Sequence, residues 1–148
     1  MMHDELRLER RILIVDDESH ILQVLSLKLR NAGCEVFTAM DGEEALEVVR
    51  QSRPDLVITD FQMPIMTGLE LCRAMAADDA TADIPVLMLT ARGYSLSDRD
   101  LAIGNIRHVV HKPFSPRAIL EMVRTLLIDG GAKSAGPAPG DREREDAA

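Results

Sequence analysis

Two hydrophobic patterns take turns along this chain. In short runs such as Ile12-Leu13-Ile14-Val15, Leu56-Val57-Ile58 and Val86-Leu87-Met88-Leu89 every position is apolar. Between them lie longer stretches in which apolar residues recur at helical spacing. The short runs, bounded by turn residues, read as strands buried on both faces, as in a parallel sheet. The longer stretches read as helices with one buried stripe.

In order, a strand spans Arg11 to Asp17 and Ser19 caps a helix to about Ala32. Its stripe is Ile21, Leu22, Leu25 and Leu29, and Gly33 ends it. A partly alternating strand covers Glu35 to Met40. Asp41 then caps a helix to about Gln51 that buries Ala45, Leu46 and Val49. Pro54 precedes the central strand, Asp55 to Asp60, and Pro64 forces a loop after it. Thr67 caps a helix from Gly68 to about Ala77, and a polar connector, Asp78 to Asp83, leads to a strand from Pro85 to Thr90. Arg92-Gly93-Tyr94 is a loop and Ser95 to Ile103 a short, weakly periodic helix. Ile106 to His111 is the fifth strand. Ser115 as N-cap and Pro116 as first residue open a last helix to about Ile128, with Ile119, Leu120, Val123 and Leu127 facing inward.

Strands alternating with helices define an α/β fold, a doubly wound five-stranded parallel sheet with helices on both faces. The 148 residues suffice for one such domain and not for two. It spans 11–129, after a polar lead-in over 1–10. From residue 130 to 148 the chain is Gly, Ala, Pro and charge, which predicts a disordered tail with a mixed-charge, solvating cluster at Asp141 to Asp146. Composition narrows the function. A net charge of -8 disfavours binding to a nucleic-acid backbone, and 3% aromatics without Trp leave no stacking platform. Cys34 and Cys72 have neither metal-ligand spacing nor a disulfide framework. No apolar run is long enough for a membrane span, and the charged start is unlike a signal peptide, so the cytoplasm is the expected compartment.

The candidate chemistry lies at the strand ends. A lone Asp60 there would usually be a turn or cap residue. Asp16 and Asp17, Thr90 and Lys112 fall at the ends of three other strands, and a doubly wound sheet collects those ends along one edge. Three carboxylates in one cleft repel one another. Two unit charges about 4 Å apart interact by roughly 4 kcal/mol at an effective dielectric of about 20. Protonation or a cation must offset this, and an all-oxygen donor set suits Mg²⁺. Lys112 can meet an anionic group there, and the Thr90 hydroxyl can donate to a phosphoryl oxygen. Together these groups are suited to receiving a phosphoryl group on a carboxylate.

The residues Ile14-Val15-Asp16-Asp17-Glu18, Asp60-Phe61-Gln62-Met63-Pro64 with Gly68, Leu89-Thr90-Ala91 and Lys112-Pro113-Phe114 resemble the motifs of bacterial response-regulator receiver domains. These serve two-component signalling and chemotaxis, and the resemblance covers roughly Arg11 to Ile128. It implies the flavodoxin-like strand order 2-1-3-4-5, Asp60 as phosphoacceptor, and Thr90 and Lys112 as ligands of the phosphoryl oxygens. Mg²⁺ would be held by Asp17 directly, by Asp16 largely through water, by Asp60 and by the Gln62 backbone carbonyl. The Lys112–Pro113 bond would be cis. The implied donor is a sensor histidine kinase or histidine phosphotransfer protein. The signal would pass to a downstream protein through the face of helix 4, strand 5 and helix 5, or by onward phosphotransfer. A phosphorylation-dependent homodimer is a further partner to consider. The expected role is that of a stand-alone receiver, a signalling module that transfers phosphoryl only to and from its own Asp.

Two positions depart from the family pattern. Val109 stands three before Lys112, where the family usually carries an aromatic switch residue, with His108 and Tyr94 the nearest substitutes. Gln62 and Arg92 occupy the positions two after Asp60 and Thr90 that tune phosphoryl lifetime in the family. The rival readings are a Mg²⁺-dependent phosphatase with an aspartyl-phosphate intermediate and an inert pseudo-receiver. Against the first, the first strand ends in adjacent aspartates rather than Asp-x-Asp, the acceptor candidate sits on the third strand, and there is no cap insertion. Against the second stands the intact acidic set with Thr90 and Lys112.

Overall fold

The computed structural model describes residues 8–91 and 96–131, with side chains described through residue 128. The apolar runs are β1 (Arg11–Val15), β2 (Glu35–Ala39), β3 (Leu56–Asp60), β4 (Val86–Thr90) and β5 (Ile106–His111). They form one sheet in the order β2-β1-β3-β4-β5, and every pairing is parallel. The all-apolar pattern has the expected cause: β3 and β4 are buried at every residue, because helices cover both faces.

The helices are α1 (Ser19–Asn31), α2 (Gly42–Ser52), α3 (Gly68–Ala76), α4 (Asp98–Leu101) and α5 (Pro116–Gly131). Their apolar stripes form two cores. Ile12, Ile14, Ile58 and Leu89 meet Leu25 and Leu29 of α1 and Ile119 and Val123 of α5 on one face. Leu13, Val57 and Met88 meet Ala45 and Val49 of α2 and Leu71 and Met75 of α3 on the other. Full burial of one such aliphatic side chain contributes about 1.5–3 kcal/mol.

The helix ends follow local chemistry. Asp41 accepts the Glu44 N–H, and Thr67 and Glu70 form a reciprocal capping box. Gly33, at φ 100°, follows α1 in a Schellman turn in which Gly33 N–H donates to the Arg30 carbonyl and Cys34 N–H to that of Leu29. Ser115 accepts the Ala118 N–H ahead of Pro116. Four expectations are revised. Ser19 is the first helical residue of α1 rather than its cap; Glu18 holds that position and makes no side-chain cap bond. Leu46 is half-buried against the α2–α3 core rather than buried. The short helix is a single turn, Asp98–Leu101, capped by Ser97, because Leu101 and Ile103 are only half-buried and bury no full stripe. The last helix continues through Gly131. The readings of residues 1–7, of Arg92, Gly93, Tyr94 and Ser95, and of residues 132–148 fall outside the described residues.

Two details position the sheet edge that carries the acids. The β4–β5 register shifts between Val86 and Leu87, so that Ile106 pairs with Val86 and His108 with Leu87, leaving Arg107 as an extra residue. Beyond the bulge Val109 packs on the α2–α3 core, Val110 packs on the α1–α5 core, and Lys112 N–H donates to the Thr90 carbonyl at 2.8 Å. At the end of β3, α3 starts against the backbone it follows. A Cβ on Gly68 would lie 2.3 Å from the Asp60 carbonyl oxygen, so only glycine fits there. Gly68→Ala should therefore destabilise the protein by about 1–3 kcal/mol in urea unfolding. Gly104→Ala, which meets no close neighbour but has φ +100°, should cost only about 1 kcal/mol. Equal losses would mean that the loop yields to the added methyl group.

Candidate functional site

Strand alternation and parallel pairing bring the ends of β1, β3, β4 and β5 to one edge. Asp16 follows β1 and is fully buried, Asp60 ends β3 at 6% exposure, and Thr90 ends β4 fully buried. Lys112 follows β5 and reaches back across this edge. Its Nζ lies 3.2 Å from Asp16 Oδ2, 3.2 Å from Asp60 Oδ1 and 3.6 Å from Glu18 Oε2. The other Asp16 oxygen, Oδ1, accepts the Glu18 N–H at 2.9 Å. One buried carboxylate thus both orients the turn into α1 and anchors the ammonium.

Asp17 is exposed beside it, and carboxylate oxygens of Asp16, Asp17 and Glu18 all lie within 4.8 Å of one another. That acidic cluster, made of hard oxygen donors only, fits a divalent cation of the Mg²⁺ kind. Thr90 is joined to the site through backbone: Phe61 N–H donates to the Leu89 carbonyl and Lys112 N–H to that of Thr90. Its hydroxyl is buried with no hydrogen-bond partner among the described residues. Gln62 is exposed on the loop after β3, in which Ile65 takes the left-handed conformation at φ 70°. The Lys112–Pro113 bond is cis.

Electrostatics follow from crowding acids in a poorly solvated place. Burial, then the neighbouring charge of Asp16, raises the Asp60 carboxyl to about 6, although Lys112 pulls the other way. Burial also raises Asp16 against the opposing Glu18 N–H and Lys112. Burial works against the Lys112 ammonium too, but Asp16 and Asp60 together outweigh it and hold its pKa above the ordinary lysine value.

Asp16, Asp60 and Lys112, selected from sequence, therefore touch through one ammonium, with Asp17 alongside. The Thr90 hydroxyl shares the edge without a contact to any of them. Sequence reasoning assigned Glu18 no role although it stands in the Asp-Asp-Glu run. Only the reach of Lys112 from the far end of the chain reveals its place. An apolar groove of about 490 Å³ beside Lys112, walled by Ile21, Val24, Pro113, Phe114 and Pro116, was likewise not foreseen. Its residues come from α1 and from the β5–α5 loop, which no local pattern brings together.

Residues 12–124 match the family model of the response regulator receiver domain. The chain is 41% identical over 125 residues to a probable transcriptional regulator ycf27 of Guillardia theta, which covers 83% of this chain and 47% of that one. It is 36% identical over 135 residues to the phosphate regulon transcriptional regulatory protein PhoB of Pseudomonas aeruginosa, covering 90% and 56%. The structure of the chemotaxis response regulator CheY4 of Vibrio cholerae superposes with a TM-score of 0.72 at 36% identity, covering 78% of this chain and 97% of that one. The chain belongs to the response regulator receiver domain family of two-component systems, a signalling family. It spans about half the length of the curated relatives it matches. Among the described residues no helix is long and apolar enough to cross a membrane.

The raised Asp60 pKa gives a signed prediction. Between about pH 4 and 6 the folded protein keeps a proton that the unfolded chain has released. The contribution of Asp60 to stability therefore falls as pH rises through that window. In chelator, Asp60→Asn should be more stable than wild type by on the order of 1–3 kcal/mol at pH 7.5, with the gain vanishing towards pH 4. Urea unfolding across pH measures this. A pH-independent difference would place the cause outside Asp60 ionisation.

Proposed function

We propose that this protein is the phosphoacceptor of a two-component phosphorelay, with Asp60 as the residue phosphorylated. The observation that carries this reading is the Lys112 ammonium held 3.2 Å from both the Asp16 and Asp60 carboxylates, at a sheet edge that also bears the buried Thr90 hydroxyl, which has no hydrogen-bond partner among the described residues.

An Asp60 carboxylate oxygen attacks phosphorus on the phosphohistidine of a sensor kinase or histidine phosphotransfer protein. The new O–P bond forms as the P–N bond breaks, and the imidazole nitrogen leaves with the electron pair. Lys112 turns from the Asp60 carboxylate to a phosphoryl oxygen and stabilises the charge that develops. Thr90 supplies the remaining donor, since among the described residues its hydroxyl has no existing bond to give up in reaching the phosphoryl group. Asp16, Asp17, Asp60 and the Gln62 carbonyl would hold Mg²⁺, which offsets the negative charge of acids and phosphoryl group when bound. Asp16, already fixed by the Glu18 N–H, keeps Lys112 in place throughout. The same site returns the phosphoryl group to water or to a second carrier, so the chemistry stays on the protein's own Asp60.

The output passes to a downstream protein through the face of α4, β5 and α5, as a population shift favoured by contacts that only the phosphorylated state makes. Val109 cannot report the state of Thr90 as a rotating aromatic would. It packs half-buried on the α2–α3 core together with Leu101 and Ile103, beside a one-turn α4 that buries no residue. Repacking of this weakly anchored turn is the route by which a moved Thr90 is sensed.

Intact-mass analysis after incubation with acetyl phosphate should show one Mg²⁺-dependent phosphoryl adduct, absent in Asp60→Asn. An adduct that survives in Asp60→Asn would assign the acceptor elsewhere. Thr90→Ala should keep the adduct and lose little stability, within about 1 kcal/mol in urea unfolding, because its hydroxyl leaves no partner behind among the described residues. A loss well above that would reveal a structural hydrogen bond instead.

A further inference from the structure

The four helix starts α2 to α5 are capped in the same way: Asp41, Thr67, Ser97 and Ser115 each accept the backbone N–H three residues on. The start of α1 is different. Glu18 occupies the N-cap with extended backbone, and its side chain makes no cap bond. Glutamate is not among the residues favoured there, and the carboxylate points instead to Lys112, with Oε2 3.6 Å from Nζ and Oε1 4.0 Å from His20 Nε2. The helix forgoes a capping bond at the N-terminus whose cap residue reaches Lys112 instead.

The three acids around the ammonium differ in their freedom. Asp16 is wholly buried and tied by its second oxygen to the Glu18 N–H. Asp60 is the acceptor, whose carboxylate is itself converted. Glu18 is half exposed, at 50% for its side chain, and lies beyond hydrogen-bond distance in a looser ion pair. It alone can withdraw into solvent without breaking a local bond. An ammonium has three donors, and an incoming phosphoryl oxygen needs one of them.

We propose that Glu18 is a positioning residue for Lys112 that competes with the phosphoryl group for its ammonium, an inference that rests on the phosphoacceptor reading above. In the unphosphorylated protein the Glu18 carboxylate draws the ammonium towards the site entrance. A phosphoryl group on Asp60 draws the ammonium inward against this pull and repels Glu18. Glu18 thus opposes the phosphorylated state and lowers its population.

The test is the affinity for beryllofluoride, a phosphoryl mimic, read by ¹⁹F NMR at saturating Mg²⁺ in wild type, Glu18→Gln and Glu18→Asp. Mg²⁺ affinity is measured separately for each variant, so that an effect on the cation is not read as one on Lys112. Glu18→Gln, which keeps the shape and removes the charge, should bind beryllofluoride roughly 2- to 5-fold more tightly, the range of a half-exposed ion pair. Glu18→Asp keeps the charge but withdraws the carboxylate by about one bond length, roughly 1.5 Å, and should tighten binding as well. An unchanged Glu18→Gln overturns the proposal, and so does Glu18→Asp matching wild type while Glu18→Gln tightens, which would mean charge acting at a distance. If wild type binds no beryllofluoride, the phosphoacceptor reading itself falls and this proposal with it.

Discussion

The arrangement at the sheet edge depends on one ammonium among buried carboxylates. Asp16 and Asp60 are almost without solvent, and each is pushed towards its neutral form by that burial. Lys112 is the protein's own counter-charge, at 3.2 Å from both. Among the described residues one cation answers several acids, which leaves the site under-neutralised. That imbalance favours a further cation and, in the function proposed above, leaves room for a change of partner when a phosphoryl group arrives. The same imbalance costs stability in the resting protein.

The fold is organised to sustain this strain. A parallel sheet sends every strand end to one edge, and two layers of helices supply the burial that offsets crowded charge there. The loop after β3 is held close by Gly68 N–H on the Phe61 carbonyl, with α3 starting against the Asp60 backbone. The Asp16 carboxylate that anchors Lys112 also organises the turn into α1. Asp60, Asp16 and Lys112 are thereby positioned by backbone that the cores keep rigid. Among the described residues, the groups with latitude are the Thr90 hydroxyl, which has no hydrogen-bond partner there, and the half-exposed Glu18.

The opposite flank is looser. α4 is one turn without a buried residue, and β5 is only half-buried from Arg107 to Val110. Its apolar residues Leu101, Ile103, Val109 and Val110 are only partly buried, so rearranging it is inexpensive compared with moving any central strand. A receiver without an aromatic at position 109 can still couple its site to its surface if the element beside β4 and β5 is itself weakly held.

Much of this was legible in the residues. The all-apolar runs specified β1, β3 and β4, because only burial on both faces tolerates such sequences. Helical stripes such as Ile21, Leu22, Leu25 and Leu29 face the core as their spacing requires. The order of acids, Thr90 and Lys112 along the chain was enough to place these residues at one edge, since strand ends in a parallel sheet converge there. What the sequence could not decide depends on distances between segments far apart in the chain. Glu18 carries no assigned role until Lys112 is seen beside it, and Ser19 reads as the cap because serine is the residue type favoured there. The extra residue at Arg107, which sets Val109 on one core and Val110 on the other, is invisible to a two-residue period interrupted by a single bulge. The groove between α1 and the β5–α5 loop exists only once those segments are packed. Periodicity and side-chain chemistry are local and survive in the sequence, whereas the partner of a charge is set by tertiary packing.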